Sequence, residues 1–411
     1  MDPGPRVDVL VVTALKEEYD AAEAVLGQVT SRHGTGGPEP YATAAYPAPG
    51  GTLTVALTRP TQMGGRGTAP IATTLVNRLR PVCLAMCGVC AGNPRDTAPG
   101  DVVVASPAYE WDEGKWTGEE FRGDHQPFPL DVRWERAAQD FDPAGLPSHG
   151  AATDQDAAVW FLERLHRDQD PRKHPARGRY FTRATWSTGL DRLRASGLIT
   201  WRESRWTLTG DGRAHIERIL YHDVYGPERL PFGVLTGPMA SGSAVMQDER
   251  VWDRLGVAQR RILAVEMEAA TVATVAHQRQ VPHWLVAKGV MDHAGLDKDD
   301  RFKGFAARAS AEVLFTLLGD LMAPAGAAPT RPVAGVPAAV RREVLRGLTY
   351  DWPDLADVVG VPSSDMRRFR PGDEAREVWD WLAGRGRIGD LPAALDEIGR
   401  PELARLLRSY T

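Results

Sequence analysis

Cysteine is scarce in this chain: only three occur among 411 residues, and all of them lie between Cys83 and Cys90. So few cysteines in one short segment exclude the disulfide framework of a small secreted domain. The sequence also lacks a run of about 18 apolar residues that could span a bilayer. Its first residues, MDPGPR, lead into an apolar stretch with no targeting pattern ahead of it. We therefore expect a cytoplasmic protein without a membrane segment.

The chain also lacks a large excess of positive or of negative charge. The net charge is -5, and the contents of 43% hydrophobic and 25% charged residues are those of an ordinary globular protein. This balance gives no reason to expect nucleic acid or an acidic membrane surface as a partner. Because 411 residues exceed what one hydrophobic core usually serves, we expect two or three folded units.

Cys87-Gly88-Val89-Cys90 has the C-x-x-C spacing of a redox pair or of half a zinc site. A zinc site needs two further ligands at matching spacing, and the sequence has no second pair. A redox pair usually begins a helix, whereas this one ends the apolar stretch PVCLAMC. We interpret the motif as small residues packed where a buried strand turns, and we expect neither a metal nor a cofactor.

Short apolar runs alternate with helical segments in two parts of the chain. The runs are VDVLVVTA at Val7, TLTVAL at Thr52, PVCLAM at Pro81, DVVVAS at Asp101, GVLTG at Gly233, ILAVEME at Ile262 and HWLVAKGV at His283. Helical patterns at 68–79, 269–280 and 302–321 separate several of them. This alternation predicts an α/β fold with a mainly parallel sheet covered on both faces. The ligand site of such a sheet lies beyond the carboxyl ends of its strands.

The segment between these parts, residues 154–222, has a different pattern. It predicts a helix, a break at Gly197, two short strands and another helix, which is the order of a winged helix. From Asp154 to Arg218, 13 basic minus 9 acidic residues give +4, a modest charge for a DNA reader. We favour an insertion that covers the active site or forms a dimer contact, with a DNA-binding regulator as the alternative.

The C-terminal part begins with APAGAAPTRPVAGVP, whose composition predicts a semi-stiff linker at 323–337. Residues 338–411 then show the apolar periodicity of several amphipathic helices. The 12 basic and 13 acidic residues from Arg341 to Arg408 are finely mixed. Such mixing favours contacts with proteins over contacts with phosphate.

Several carboxylates stand where predicted strands end. Glu17 and Glu18 follow the first strand, Glu266 and Glu268 end ILAVEME, and Asp292 ends HWLVAKGVMD. Breaking an N-glycosidic bond builds positive charge on the sugar and negative charge on the departing base, so it needs an acid at the base and a polar or anionic group near the sugar. Taken singly, an acidic residue after a strand often only caps a helix. The joint arrangement favours a function.

Four motifs together resemble the purine nucleoside phosphorylase superfamily, above all its methylthioadenosine/S-adenosylhomocysteine nucleosidases and their defence-system relatives. They are VDVLVVTALKEEYDAA, CGVCAGNPRDTAPGDVVVAS, TGPMASGSAV and VEMEAATVATVAHQRQVPHWLVAKGVMDHA, within 7–112 and 233–321. The resemblance implies a phosphorylase-type central mixed sheet flanked by helices, built from residues 1–153 and 223–322. It also implies a homodimer or hexamer that cleaves the N-glycosidic bond of a purine nucleoside or nucleotide, with ATP or another adenine nucleotide as a candidate.

The resemblance also implies a role for individual residues. Glu18 would bind and activate the attacking water, Asp292 would protonate the imidazole-ring nitrogen of the purine, and Glu268 would hold the ribose hydroxyls. Met267 would pack against the sugar, and Glu266 would support the loop of Glu268 or belong to a structural ion pair. The backbone of Val89, Cys90 and Ala91 would lie against the ligand. Met239 and Ala240 would flank the base.

Two departures from the nucleosidase pattern bear on mechanism and substrate. Lys288 stands where the nucleosidases have an arginine, which leaves open how Asp292 is oriented. The TALKEEY segment resembles the water-using branch, which favours hydrolysis over phosphorolysis. Four basic residues in or near the loops could meet a 5′-phosphate, although each is more often solvated surface charge; these are Arg59, Arg66, Arg95 and Lys115.

The C-terminal helices carry a second resemblance. YDWPDLADVVG and VWDWLAGRGRIGDLPAALDEIGRPELARLL are similar to the bacterial death-like domains appended to effectors, which make homotypic contacts with matching domains. A generic helical cap is the alternative. We therefore predict a nucleosidase effector of a bacterial defence system with an all-α recruitment domain. A nucleoside sensor without turnover and a phosphorolytic enzyme are the rivals.

Overall fold

The computed structural model describes residues 6–34, 39–49, 51–118, 120–295, 300–322, 338–348, 351–362, 366, 369, 374–383 and 387–408. The chain divides into two compact units, Met1–Met322 and Ala323–Thr411. The linker predicted at 323–337 lies outside the described residues.

The first unit alternates strands and helices. Its strands are β1 (Val9–Val12), β2 (Val29–His33), β3 (Tyr41–Ala48), β4 (Gly51–Thr58), β5 (Cys83–Gly92), β6 (Val102–Glu110), β7 (Gly114–Thr117), β8 (Glu120–Gly123), β9 (Ile199–Arg202), β10 (Arg205–Leu208), β11 (Val234–Ser241), β12 (Ala264–Glu266) and β13 (His283–Asp292). Its helices are α1 (Lys16–Leu26), α2 (Gly65–Leu79), α3 (Val132–Gln139), α4 (Asp154–His166), α5 (Arg177–Tyr180), α6 (Thr185–Ala195), α7 (Gly210–His222), α8 (Val251–Ala258), α9 (Ala269–Gln278) and α10 (Lys303–Met322).

The central sheet has the strand order β12-β11-β6-β13-β5-β1-β4-β3-β2. Strand β1 pairs in parallel with β4 and β5, β13 with β5, and β11 with β6 and β12. The pairs β2–β3, β3–β4 and β6–β13 are antiparallel, and β12 also runs antiparallel to the end of β5. The sheet is therefore mixed, as the resemblance implies. The prediction of a mainly parallel sheet did not include these antiparallel pairs. Strands β2, β3 and β4 are joined by connections too short for a crossover helix, so they pair antiparallel.

Burial on both faces explains the unbroken apolar run of the first strand. Val9 and Val11 pack in a core with α1, α3 and α10, whereas Leu10 and Val12 pack in a second core with α2 and α9. Successive side chains of a strand point to opposite faces, so a strand between two helical layers needs apolar residues at every position. Burying each such side chain stabilises the fold by about 1.5–3 kcal/mol.

The predicted interruption is a small unit within the first one. Helix α6, the break at Gly197, the hairpin β9–β10 and helix α7 follow one another in the predicted order, and α4 precedes them. Gly197 has φ +72°, a conformation that favours glycine. The segment has its own apolar core, which includes Trp160, Phe161, Phe181, Leu193 and Ile216. It is hereafter called the insertion.

The second unit is helical, as predicted. Its helices are α11 (Ala338–Gly347), α12 (Trp352–Val358), α13 (Glu374–Ala383), α14 (Leu391–Glu397) and α15 (Pro401–Leu407). They enclose a core that includes Val344, Leu355, Val378, Trp379, Leu382, Leu395, Leu403 and Leu407. Within the described part of the chain, no helix has the length and apolar character needed to cross a membrane.

Candidate active site

A cavity of about 240 Å³ opens at the carboxyl ends of β1, β5 and β13. Glu18, Glu268 and Asp292 all line it, although they lie far apart in the sequence. Their convergence follows from the topology, because β1, β5 and β13 are parallel neighbours and end at the same edge of the sheet. The three carboxylates therefore share one site.

Glu18 is held almost rigidly at the start of α1. Its side chain is buried, and its carboxylate accepts hydrogen bonds from the backbone N–H groups of Ala14 at 2.8 Å, Leu15 at 2.9 Å and Val89 at 2.8 Å. The carboxylate passes so close to β5 that a Cβ atom at Gly88 would lie 2.4 Å from Glu18 Oε1. A carboxylate offers about four acceptor positions. Three are occupied, so one remains for a water or ligand in the cavity.

Lys288 is buried and is not among the residues that line the cavity. Its buried ammonium is 3.1 Å from Glu266 Oε2 and 3.0 Å from Glu268 Oε2. The lysine that replaces the arginine of the nucleosidases thus contacts the two glutamates of the motif VEME.

Glu266 and Glu268 share Lys288 but differ in protonation. Burial raises the pKa of Glu266, but Lys288 and hydrogen bonds from Ser241, Ala269 and Glu268 outweigh burial and hold that pKa below its usual value. For Glu268, burial raises the pKa to about 7 despite Lys288, and the charges of Glu266 and Glu18 add to the rise. Neighbouring carboxylates whose pKa values are driven apart are typical of catalytic sites. Glu266 is thus ionised, whereas Glu268 exchanges its proton near neutral pH.

Asp292 is the third carboxylate of the cavity. It is half-buried at the end of β13, and its Oδ1 accepts a hydrogen bond from the backbone N–H of Ala294 at 2.8 Å. Since Glu18 and Glu268 line the same cavity, a ligand held there would lie among all three carboxylates.

Most of the other predicted contact residues reach the cavity. Glu266, Met267, Val89, Cys90 and Ala91 line it. Met239 and Ala240 do not: both are fully buried within β11, which continues to Ser241, and they pack in apolar cores. Later residues of the same segment line the cavity in their place, namely Ala244, Val245 and Met246.

Several lining residues were not predicted from the sequence. Met63, Met246 and Met291 join Met267, so that four thioether side chains surround the cavity, and no aromatic residue of the described chain lines it. Methionine adapts its shape to its neighbours and makes favourable contacts with aromatic rings. Asp300 and Lys303 also line the cavity, and Lys303 Nζ lies 3.3 Å from Glu17 Oε1. Without a local motif, these positions are found only from the fold.

A second cavity, of about 700 Å³, shares Met63 with the first. Arg59 and Arg66 line it, and among the described residues neither takes part in an ion pair. The two other predicted basic residues lie elsewhere. Arg95 pairs with Asp253 at 3.1 Å, and Lys115 is exposed on β7.

The cysteines are buried and free, and burial raises the pKa of Cys83 and Cys87. Buried thiols of raised pKa are poor nucleophiles and poor metal ligands. Cys87 and Cys90 lie within β5, which continues to Gly92. They therefore pack inside the strand and not at its turn.

Known proteins resemble each of the two units. The family model of the phosphorylase superfamily matches residues 217–319, and that of bacterial death-like domain 3 matches residues 338–410. The uncharacterised protein y4jS of Sinorhizobium fredii is 27% identical over 316 residues, 75% of this chain and 60% of that protein. The chain thus spans about 60% of the length of this relative.

Similar solved structures include the Streptococcus pneumoniae MTA/SAH nucleosidase in complex with 8-aminoadenine, with a TM-score of 0.46 and 16% identity over 76% of this chain and 99% of that chain. Another is futalosine hydrolase of Helicobacter pylori, with a TM-score of 0.42 and 14% identity over 76% of this chain and 97% of that chain. The two family matches confirm both resemblances seen in the sequence: the chain contains a phosphorylase-superfamily domain followed by a bacterial death-like domain.

Proposed function

We propose that the α/β unit hydrolyses the N-glycosidic bond of a purine nucleoside or nucleotide and releases the free base. One observation carries the proposal: Glu18, Glu268 and Asp292 line a single cavity of about 240 Å³. In the proposed reaction Asp292 donates a proton to the imidazole ring of the base, and Glu268 holds the ribose hydroxyls. Glu18 accepts a hydrogen bond from the attacking water and takes up its proton as the new bond forms.

The charge of the cavity favours water over phosphate as the nucleophile. Five acidic side chains line it: Glu18, Glu266, Glu268, Asp292 and Asp300. Among the described residues, Lys303 is the one cationic lining residue, and Glu17 already pairs with it. Like charges at close range in a partly buried site repel strongly, so a phosphate dianion would bind poorly. Hydrolysis is the reaction that this arrangement supports.

The direct test is base release by the purified full-length chain. ATP, adenosine and methylthioadenosine are incubated with the protein, and free adenine is measured by chromatography. We expect release from at least one donor without added phosphate. A sensor would bind a donor in calorimetry and release nothing. No base from any purine donor, with the oligomeric state checked, would overturn the proposal.

The second cavity favours a phosphorylated substrate. It adjoins the first at Met63, and its Arg59 and Arg66 form no ion pair with a described carboxylate, whereas Glu39 of the same lining pairs with Arg78. Arginine is well suited to phosphate because its guanidinium donates two parallel hydrogen bonds. We therefore infer that a nucleotide binds with its base and ribose in the first cavity and its 5′-phosphates in the second.

Arg66→Ala should weaken the binding of a nucleotide without weakening the binding of a nucleoside. A hydrogen bond to a charged group contributes about 1.5–3 kcal/mol, so KM for ATP should rise about tenfold to a hundredfold. KM for adenosine, which has no phosphate, should not change. Arg194→Ala, an exposed arginine of α6, is the control that leaves both values as they are. An equal rise for ATP and adenosine would contradict a phosphate-binding role.

The insertion has the helix and hairpin order of a winged helix, and we propose that it serves the enzyme instead of binding DNA. Phosphate contacts dominate the affinity of proteins for DNA. The net charge of +4 from Asp154 to Arg218 is modest for such contacts.

We infer that the death-like unit recruits the enzyme through contacts with matching domains. The finely mixed charges of Arg341 to Arg408 suit a protein partner better than an anionic polymer. A nucleotide-destroying activity tethered to such a domain fits a regulated effector of bacterial defence. In this proposal the enzyme acts as a homo-oligomer, and the death-like domains bring the effector to the partner that triggers it.

A further inference from the structure

Arg301 joins the insertion to the wall of the candidate site. It belongs to the short 3-10 turn Asp300–Phe302, and its neighbours Asp300 and Lys303 line the cavity. The Arg301 side chain points away from that cavity and is only 9% exposed. A buried guanidinium beside a ligand site, but not in it, is placed to hold the wall of the site.

Two carboxylates that pair with Arg301 lie on the first helix of the insertion and directly after its last helix. Arg301 Nη2 lies 2.7 Å from Glu163 Oε1 on α4, and Nη1 lies 2.7 Å from Asp223 Oδ2, directly after α7. Burial raises the pKa of Glu163, but Arg164, Arg301 and Arg167 outweigh burial and keep that carboxylate ionised. The Arg301 and Glu163 side chains are only 9% and 8% exposed, so little water competes for their contact.

A second ion pair connects the insertion to β13. Arg179 on α5 donates through both terminal nitrogens to the carboxylate of Asp101. The backbone carbonyl of Asp101 in turn accepts a hydrogen bond of 2.7 Å from the N–H of Val290, two residues before Asp292. The insertion is therefore linked both to the turn that walls the site and to the strand that ends at Asp292.

Asp292 lies between the candidate site and the insertion. A cavity of about 430 Å³ is lined by Glu163 and Arg164 of α4, by Arg167 directly after that helix, and also by Asp292 and Met291. The same Asp292 and Met291 line the smaller cavity. The Asp292 end of β13 thus borders both the candidate site and a cavity that α4 lines.

We propose that the insertion positions the reacting groups, with Arg301 as a positioning residue that acts through Asp292 and through the turn Asp300–Phe302. This inference rests on the proposed hydrolysis of an N-glycosidic bond. An acid works only when it lies within hydrogen-bond reach of the atom that it protonates. A displacement of about 1 Å can cost about a hundredfold in rate. The ion pairs of Arg301 with Glu163 and Asp223 fix this distance.

The test is a double-mutant cycle with Arg301→Met and Asp292→Asn. Arg301→Met alone should lower kcat for base release about tenfold to a hundredfold, with a smaller change in KM. In the Asp292→Asn background the same change should have almost no further effect on kcat, because the group being positioned is gone. If the two losses simply multiply, Arg301 does not act through Asp292 and the inference fails.

Two further variants separate positioning from misfolding. Asp223→Asn removes one partner at a less buried place and should lower kcat in the same direction but less. Arg192→Met breaks an exposed pair elsewhere on the insertion and should leave kcat unchanged. Thermal unfolding of each variant is followed by circular dichroism. A kcat loss that tracks the unfolding temperature across all variants, Arg192→Met included, would overturn the inference.

Hydrogen exchange gives a readout that needs no activity. Arg301→Met should speed amide exchange at Val290 to Ala294, whereas Arg192→Met should not. Unchanged exchange at these amides would overturn the positioning inference even if the wild-type protein releases base. If the wild-type protein releases no base while exchange responds as expected, the proposed function fails and the link between the insertion and this segment stands.

Discussion

Replacing Asp292 by asparagine is expected to slow base release by about 10²–10⁴-fold, the usual contribution of a positioned general acid. Asparagine has the size and shape of aspartate and can take the same place at the end of β13. It cannot give a proton to the departing base, so negative charge would build up on the purine. Steady-state kinetics with adenosine or ATP measures this loss as a fall in kcat. The KM should change little because the cavity keeps its shape.

The nature of the loss can be checked with the leaving group. A purine nucleoside methylated at the imidazole nitrogen already carries the positive charge that protonation would supply. Asp292→Asn should therefore lose far less with this substrate than with the unmethylated one. Asp253→Asn, at an exposed aspartate on α8, is the matched control and should keep the wild-type rate on both. Equal losses on both substrates would show that Asp292 acts by something other than proton donation.

The sequence predicted the buried strands, because each of them is marked by a local run of apolar residues. The apolar runs at Val7, Pro81 and His283 became β1, β5 and β13, because a strand covered on both faces must be apolar throughout. Strands β2 and β3 were missed. Several of their residues are polar and at least partly exposed, such as Thr30, Ser31 and Thr43. The sequence therefore shows no apolar run at these strands. They pair at the edge of the sheet, where contact with a neighbouring strand, and not burial, defines the strand.

The sequence predicted those site residues that both follow a strand and match a motif of the phosphorylase superfamily. It did not predict side-chain contacts between residues far apart in the chain. Glu18, Glu268 and Asp292 follow strands and meet because those strands are neighbours. The partners of Lys288 depend on β12 pairing with both β5 and β11, which no local pattern encodes. Likewise Arg301 and Glu163 are 138 positions apart. Side-chain direction and long-range ion pairs require the assembled fold.

Removing the ammonium of Lys288 should destabilise the α/β unit more than any other single charge change near the site. Lys288→Met keeps the length and apolar stem of the side chain but leaves Glu266 and Glu268 buried against each other without a cation. Breaking a buried ion pair by removing one partner typically costs about 3–5 kcal/mol. Urea unfolding of wild-type and variant protein at neutral pH measures this difference in the free energy of unfolding.

The loss should depend on pH in a defined direction. Burial already raises the pKa of Glu268 to about 7, and losing Lys288 raises the pKa values of Glu266 and Glu268 further. A carboxyl group whose pKa is higher in the folded than in the unfolded state favours folding at low pH. This contribution disappears as the pH rises through the folded-state pKa. Lys288→Met should therefore approach wild-type stability at about pH 5 and fall furthest below it at about pH 8.

Lys303→Met provides the matched control. Lys303 lines the same cavity, but its partner Glu17 is 60% exposed, so water replaces the lost ammonium. Exposed pairs contribute about 0–1 kcal/mol, and this variant should show neither the large loss nor its pH dependence. If Lys288→Met is as stable as Lys303→Met at about pH 8, the two glutamates are not held ionised by Lys288. Glu268 would then enter the reaction uncharged, and its proposed contact with the ribose hydroxyls would have to run through its protonated form.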